Sequence, residues 1–191
     1  MMKESIHIVN FGGLKDVTFK LKRINILIGP QASGKSVTAK LVYFFKNFPK
    51  AITFSIANGD TKKNLDTKQK EKFKKYFPID AWPKGDFRIE YKINKSSIAI
   101  EKNGSKKLVF SYSEDFKDLF DKTRKFFKKE QKRFRDAPNN VHNAAWLSSN
   151  DFFYKNLNII VPPTASNLQF FIPSGRSFFA NLQSNIYVFF K

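Results

Sequence analysis

The chain has 191 residues, of which 35 are Lys or Arg against 16 Asp or Glu, giving a formal charge of +19. It has no cysteine, which excludes a disulfide framework and a thiolate metal site. No apolar run approaches the ~20 residues of a membrane span, and Met1-Met2-Lys3-Glu4-Ser5 is not followed by a signal-peptide core, so the expectation is a cytoplasmic protein of one domain, or of one domain with an insertion.

Ser5–Asn10 and Asp16–Leu21 alternate apolar and polar residues around Gly12-Gly13, which predicts an antiparallel hairpin. Ile24-Asn25-Ile26-Leu27-Ile28 is a short β-branched run and reads as a buried strand. Val37, Ala39, Leu41, Val42, Phe44 and Phe45 then follow a helical spacing that ends near Phe48-Pro49. Residues 51–85 are ambiguous, with a short basic helix from Thr67 to Phe77 and breaks at Pro78 and Pro83. A β-meander follows in Phe87–Ile93, Ser97–Glu101 and Lys107–Tyr112, with Asn103-Gly104 as a two-residue turn. Ser113 is placed to cap a helix running to about Arg135, and residues 140–157 predict another. Leu168–Ile172 reads as a strand leading through Pro173-Ser174-Gly175-Arg176-Ser177 into a final helix.

Between the predicted strand 24–28 and the first helix stands Gly29-Pro30-Gln31-Ala32-Ser33-Gly34-Lys35-Ser36, which fits the phosphate-loop pattern G-x-x-x-x-G-K-[ST]. Glycines let the backbone curl so that successive N–H groups face one anion-sized concavity. Lys35 supplies a point charge for the β- and γ-phosphates, and the Ser36 hydroxyl can hold Mg²⁺. The helix starting near Gly34 aims its positive end at the same phosphates. A chance match in a Gly/Ser loop is the competing reading. The order strand, glycine loop and helix favours the motif.

The positive charge is concentrated. Lys62 to Lys75 holds seven lysines and two acids, and Lys117 to Arg135 holds nine basic residues and three acids. Basic helices over 62–75 and 117–135 suit a nucleic-acid partner bound through phosphates. An A/T-rich genome, or an acidic segment elsewhere, accounts for the same excess. Phe116, Leu119, Phe120, Phe126, Phe127 and Phe134 form a helical stripe that favours a core face over base stacking. His7 and His142 lack ligand spacing and read as structural or surface residues.

Ile8-Val9-Asn10-Phe11-Gly12-Gly13-Leu14-Lys15-Asp16-Val17 together with Ile24–Lys40 resembles the start of ABC-type ATPases of the SMC/RecF/OLD-like group. These proteins are often called AAA family ATPases, and many act in bacterial anti-phage defence. Phe171-Ile172-Pro173-Ser174-Gly175-Arg176-Ser177 is similar to a strand end in that group. The resemblance implies an α/β fold: a P-loop NTPase lobe of ABC type, with a mixed sheet around the P-loop helix, an antiparallel β-layer and a basic helical insertion. It divides the chain into a P-loop part at 1–58, an insertion at 59–157, and a return strand and terminal helix at 158–191. It implies ATP and Mg²⁺ as ligands, with Gly29 to Ser36 and Val37 around the phosphates and Asn10 and Phe11 near the base. Arg176 becomes a possible γ-phosphate sensor or a structural arginine. The implied partner is a second ATPase lobe or a homodimer.

No apolar strand ends in paired acids. Ile79-Asp80 follows Pro78, and Glu114-Asp115 reads as a helix start. Leu147-Ser148-Ser149-Asn150 lacks the glycines of a Leu-Ser-Gly-Gly signature. The expectation is therefore an ATP-binding lobe with little turnover alone, completed by a C-terminal half not present here, in an ATP-gated DNA-processing or defence complex. The alternatives are a stand-alone P-loop kinase and a non-enzymatic nucleic-acid binder. Asn94-Lys95-Ser96-Ser97 lacks the aspartate of a GTPase base-reading motif.

Overall fold

The computed structural model describes residues 3–104, 107–134 and 141–161, with side chains from 144 in the last segment. The predicted strand at 168–172 and the segment holding Arg176 lie outside the described residues.

The hairpin forms from β1 (Glu4–Phe11) and β2 (Leu14–Leu21), and the meander from β3 (Phe87–Ile93), β4 (Ser96–Lys102) and β5 (Leu108–Tyr112). They join into one antiparallel sheet in the order β2-β1-β3-β4-β5. The joint is the pairing of β1 with β3, from Glu4 opposite Ile93 to Val9 opposite Arg88. Alternation explains why one face is dry: Ile6, Ile8, Ile89, Tyr91, Ile98, Ile100 and Phe110 are all buried.

Among the described residues five α-helices lie between and after these strands: α1 (Lys35–Lys46), α2 (Phe48–Ala57), α3 (Lys62–Tyr76), α4 (Glu114–Arg133) and α5 (Val141–Ile160). The helix expected to end near Phe48-Pro49 stops at Lys46, and a new one starts at Phe48, because Pro49 suits the first turn of a new helix and not the interior of an old one. The ambiguous stretch resolves into α2 and a longer α3, whose N-cap Thr61 accepts from the Asn64 N–H at 3.2 Å. Ser113 stands at the N-cap of α4, but its hydroxyl accepts from the Ser97 N–H at 3.3 Å instead of closing the helix. The α4 stripe is core: Phe116, Leu119, Phe120 and Phe127 are buried, and Phe126 stacks on Phe152 with centroids 4.4 Å apart.

Aromatic rings bind the layers. Phe48 lies 5.3 Å from Phe110, 5.0 Å from Tyr112 and 5.6 Å from Phe116, joining α2, β5 and α4. Phe11 lies 4.8 Å from Phe87 and 5.6 Å from Phe73, joining β1, β3 and α3. Such pairs add about 0.5–1.5 kcal/mol each beyond their area.

The buried strand expected at 24–28 is absent. Ile24, Ile26 and Ile28 are 78%, 78% and 90% exposed. After β2, Lys22 and Asn25 close a local turn, with the Lys22 N–H donating to Asn25 Oδ1 at 2.8 Å and the Asn25 amide donating to the Lys22 carbonyl at 2.7 Å. A strand needs a ladder partner, and none of the described residues pairs with it. No parallel pairing occurs among the described residues, so the mixed sheet expected around α1 is not found there either. Instead α1 packs on the antiparallel sheet, for example through Phe45 stacked on Tyr91 at 5.9 Å.

One buried charge anchors α1. Glu4, 7% exposed, accepts from the Tyr91 hydroxyl at 2.6 Å and pairs with Lys46 at 2.8 Å. Burial, then the Glu4 charge, pushes the Tyr91 hydroxyl above the ordinary tyrosine value. Burial acts the same way on Tyr76, Tyr112 and Tyr154. Above a pH of about 10 the unfolded chain loses these protons while the folded chain keeps them, so stability falls as pH rises. We expect Tyr91→Phe to lower the urea-unfolding free energy at pH 7 by about 1–3 kcal/mol, through the lost donor to Glu4. The same variant should show a shallower stability loss above pH 10.

Candidate functional site

The segment 29–36 forms an arch that ends in the first turn of α1. Gly34 is the N-cap residue, at φ 80° and ψ 3°, and no side chain caps the helix. Its first N–H groups therefore face the arch, together with the positive end of a 12-residue helix. Ala32, at φ 62°, is a second left-handed position in the loop. Thr38 fastens the helix start: its N–H and its hydroxyl donate to the Gly34 carbonyl at 2.8 and 3.0 Å.

The Lys35 ammonium turns back over the arch. It donates to the Gly29 carbonyl at 2.7 Å, to Ser33 Oγ at 3.1 Å and to the Pro30 carbonyl. Three loop oxygens thus hold one cation at the centre of the curl. Phosphate oxygens are charged acceptors and make stronger partners for that ammonium than neutral carbonyls do. Ser36 is exposed beside it, on the first turn of α1.

The arch leans on the β1–β2 turn. A Cβ on Gly12 (φ 61°) would lie 2.6 Å from Val37 Cγ1, and one on Gly34 would lie 2.9 Å from Leu14 Cγ. Gly13 lies beside the loop as well, its would-be Cβ 3.8 Å from the Ala32 carbonyl. In the sequence Gly12-Gly13 marks only a tight turn; that Gly12 also admits Val37, 25 positions on, is visible only in the fold.

Asn10 and Phe11, named with the loop, both border one concavity beside the β1–β2 turn, from different depths. Phe11 is 3% exposed and its ring is enclosed by Phe73, Phe77 and Phe87. Asn10 is exposed at φ 51°, its amide donating to the Asp86 carbonyl at 2.6 Å. It lines a concavity of about 280 Å³ with Gly12, Gly13, Lys15, Trp82 and Pro83. Trp82 carried no signal in the sequence. Ring contacts with Phe87 and Phe73 place it there.

The acids considered for a second motif are engaged elsewhere. Glu114 pairs with Lys117 at 2.5 Å, and Asp115 accepts from the Ser96 hydroxyl at 2.9 Å. Leu147 to Asn150 lie within α5, where Ser148 donates to the buried Glu130 at 2.9 Å. Among the described residues no three His, Cys, Asp or Glu side chains come together as a metal cluster. His7 meets Asp16 across the hairpin at 2.8 Å. No described helix is long and apolar enough to cross a membrane.

The sequence matches the family described as AAA ATPase domain over residues 2–164. No curated protein and no solved structure matches it.

The contact between turn and loop generates a prediction. Gly12→Ala should cost about 1–3 kcal/mol in backbone strain and clash and should weaken nucleotide binding, with Val37→Ala in the same chain restoring part of both. Thermal unfolding and calorimetric titration would check it.

Proposed function

The chain belongs to the AAA ATPase domain family, and on that premise we propose that it is the Mg-ATP-binding lobe of an ABC/SMC-like ATPase whose hydrolysis requires a C-terminal half or a partner lobe. The observation that carries the reading is the Lys35 ammonium held by the oxygens of a left-handed glycine arch at an uncapped helix start. In this reading the loop N–H groups and Lys35 hold the β- and γ-phosphates, and the Ser36 hydroxyl ligates Mg²⁺. The exposed hydroxyl and the free helix end fit that group. Bound there, the ion would neutralise charge on the phosphate oxygens.

Two features support the need for completion. The sequence has no apolar strand ending in an acid that would orient an attacking water. The run Ile24–Ile28, which leads into the loop, is exposed and borders a groove of about 700 Å³ between β2 and α1. A further strand from another lobe would cover both.

The same lobe would act as an ATP-gated clamp on DNA in a DNA-processing or anti-phage defence complex. The lysines of α3 and α4 support this reading. Burial and the like charge of Lys50 together lower the Lys72 ammonium, an arrangement that a phosphate backbone would relieve.

We expect Lys35→Ala to abolish ATP binding in calorimetry with the melting temperature unchanged, since the ammonium bonds only within the loop. Unchanged ATP affinity would refute the site. In the same variant, DNA binding titrated against salt should persist but lose its response to ATP. Loss of DNA binding by the wild-type protein at low salt would remove the clamp reading alone.

A further inference from the structure

The concavity beside the phosphate loop has the dimensions and chemistry of a nucleobase site, and the residue that gives it a flat wall is Trp82. The indole is locked: its N–H donates to the Phe77 carbonyl at 2.8 Å, and the ring packs against Phe87 at 5.6 Å and Phe73 at 6.0 Å. Trp82 stays half-buried, and the remainder of its ring lines the concavity. Pro83 follows it and fixes the backbone there. A volume of about 280 Å³ lies just under the range of about 300–1,000 Å³ typical of pockets for whole drug-sized ligands, which suits a single base.

The floor of the concavity leads to the loop. Gly12 and Gly13 belong to both, with Gly12 against Val37 and Gly13 near the Ala32 carbonyl. A nucleotide with its phosphates on the arch would have its base on the side of the turn where Trp82 lines the concavity. Beside Lys15, Asn10 is a polar side chain at this place. Its amide nitrogen is committed to the Asp86 carbonyl, while Oδ1 accepts from no group among the described hydrogen bonds. That leaves Asn10 with an acceptor for a ligand, which would suit the exocyclic amino group of adenine and oppose the O6 acceptor of guanine.

We infer that the concavity between the β1–β2 turn and Trp82 is the base subsite of the nucleotide site, with Trp82 as its stacking platform and Asn10 as the group that selects adenine over guanine. The inference rests on the ATP-binding reading above and adds which residues hold and choose the base.

The test compares ATP, GTP and inorganic tripolyphosphate by calorimetry on the full chain. Trp82→Leu keeps an apolar side chain against Phe73 and Phe87 but removes the ring. It should weaken ATP by about 5- to 150-fold, the value of one base on one aromatic ring, and leave tripolyphosphate unchanged. Trp82→Phe should recover most of the loss. Asn10→Gly tolerates the left-handed backbone and should bring the ATP and GTP affinities together. Should Trp82→Leu be unstable, Trp146→Phe leaves Trp82 as the sole tryptophan of the two, and its fluorescence should be quenched by ATP but not by tripolyphosphate. Unchanged ATP affinity in Trp82→Leu, an equal loss of ATP and tripolyphosphate, or no quenching would overturn the base subsite while leaving the phosphate loop standing. Absence of any tripolyphosphate binding by the wild-type protein would sink the phosphate-loop reading, and this inference with it.

Discussion

The site depends on how closely two pieces of backbone approach. The β1–β2 turn and the phosphate loop touch at Gly12–Val37 and at Leu14–Gly34, where a single added carbon would fall 2.6 and 2.9 Å from the atoms opposite. Contact that tight needs glycine on one side and an apolar side chain on the other. It makes the hairpin a wall of the loop, so the curl that holds Lys35 is shaped partly by residues far from it in sequence. It also brings Asn10 and Lys15 to the edge of the site.

The rest of the fold keeps that wall still. β1 pairs on both sides, with β2 and with β3, so the turn extends from the interior of the sheet. Phe11, the last residue of β1, is enclosed by three rings, two from α3 and the residue that follows it and one from β3. At the far end of α1, Glu4 holds Lys46 and Tyr91. The helix that starts at the phosphates is thus fixed at both ends to the strand whose turn presses on the loop. Motion of the loop relative to the hairpin would have to break one of these contacts.

Local patterns carried most of the architecture. Alternation around Gly12-Gly13 and Asn103-Gly104 is a property of a few adjacent residues, and the hairpin and meander were readable from it, although Lys102 pairs with Leu108, so the last connection is longer than the two-residue turn expected at Asn103-Gly104. The spacing of Gly29, Gly34, Lys35 and Ser36 was enough to locate the arch. Pairing of β1 with β3 joins residues some 85 apart, and nothing in either strand names the other. Ile24–Ile28 is the instructive failure. Its composition reports that the run prefers burial, but a strand also needs a ladder partner, and no described strand pairs with the run after the Lys22–Asn25 turn. The resemblance places both Asn10 and Phe11 near the base, and both line the concavity beside the turn. Alternation along β1 turns adjacent side chains to opposite faces, so Phe11 went to the core and Asn10 to the surface. Trp82 was invisible because a lone tryptophan between two prolines has no periodicity to read.

The central claim is that nucleotide phosphates bind where the glycine arch meets the hairpin turn. Hydrogen exchange of the backbone amides with and without saturating Mg-ATP tests it directly. The account predicts slowed exchange at 29–36 and at 10–14, with 24–28 exchanging as fast as before in the isolated chain. Unchanged exchange across 29–36 in the presence of bound ATP would contradict it.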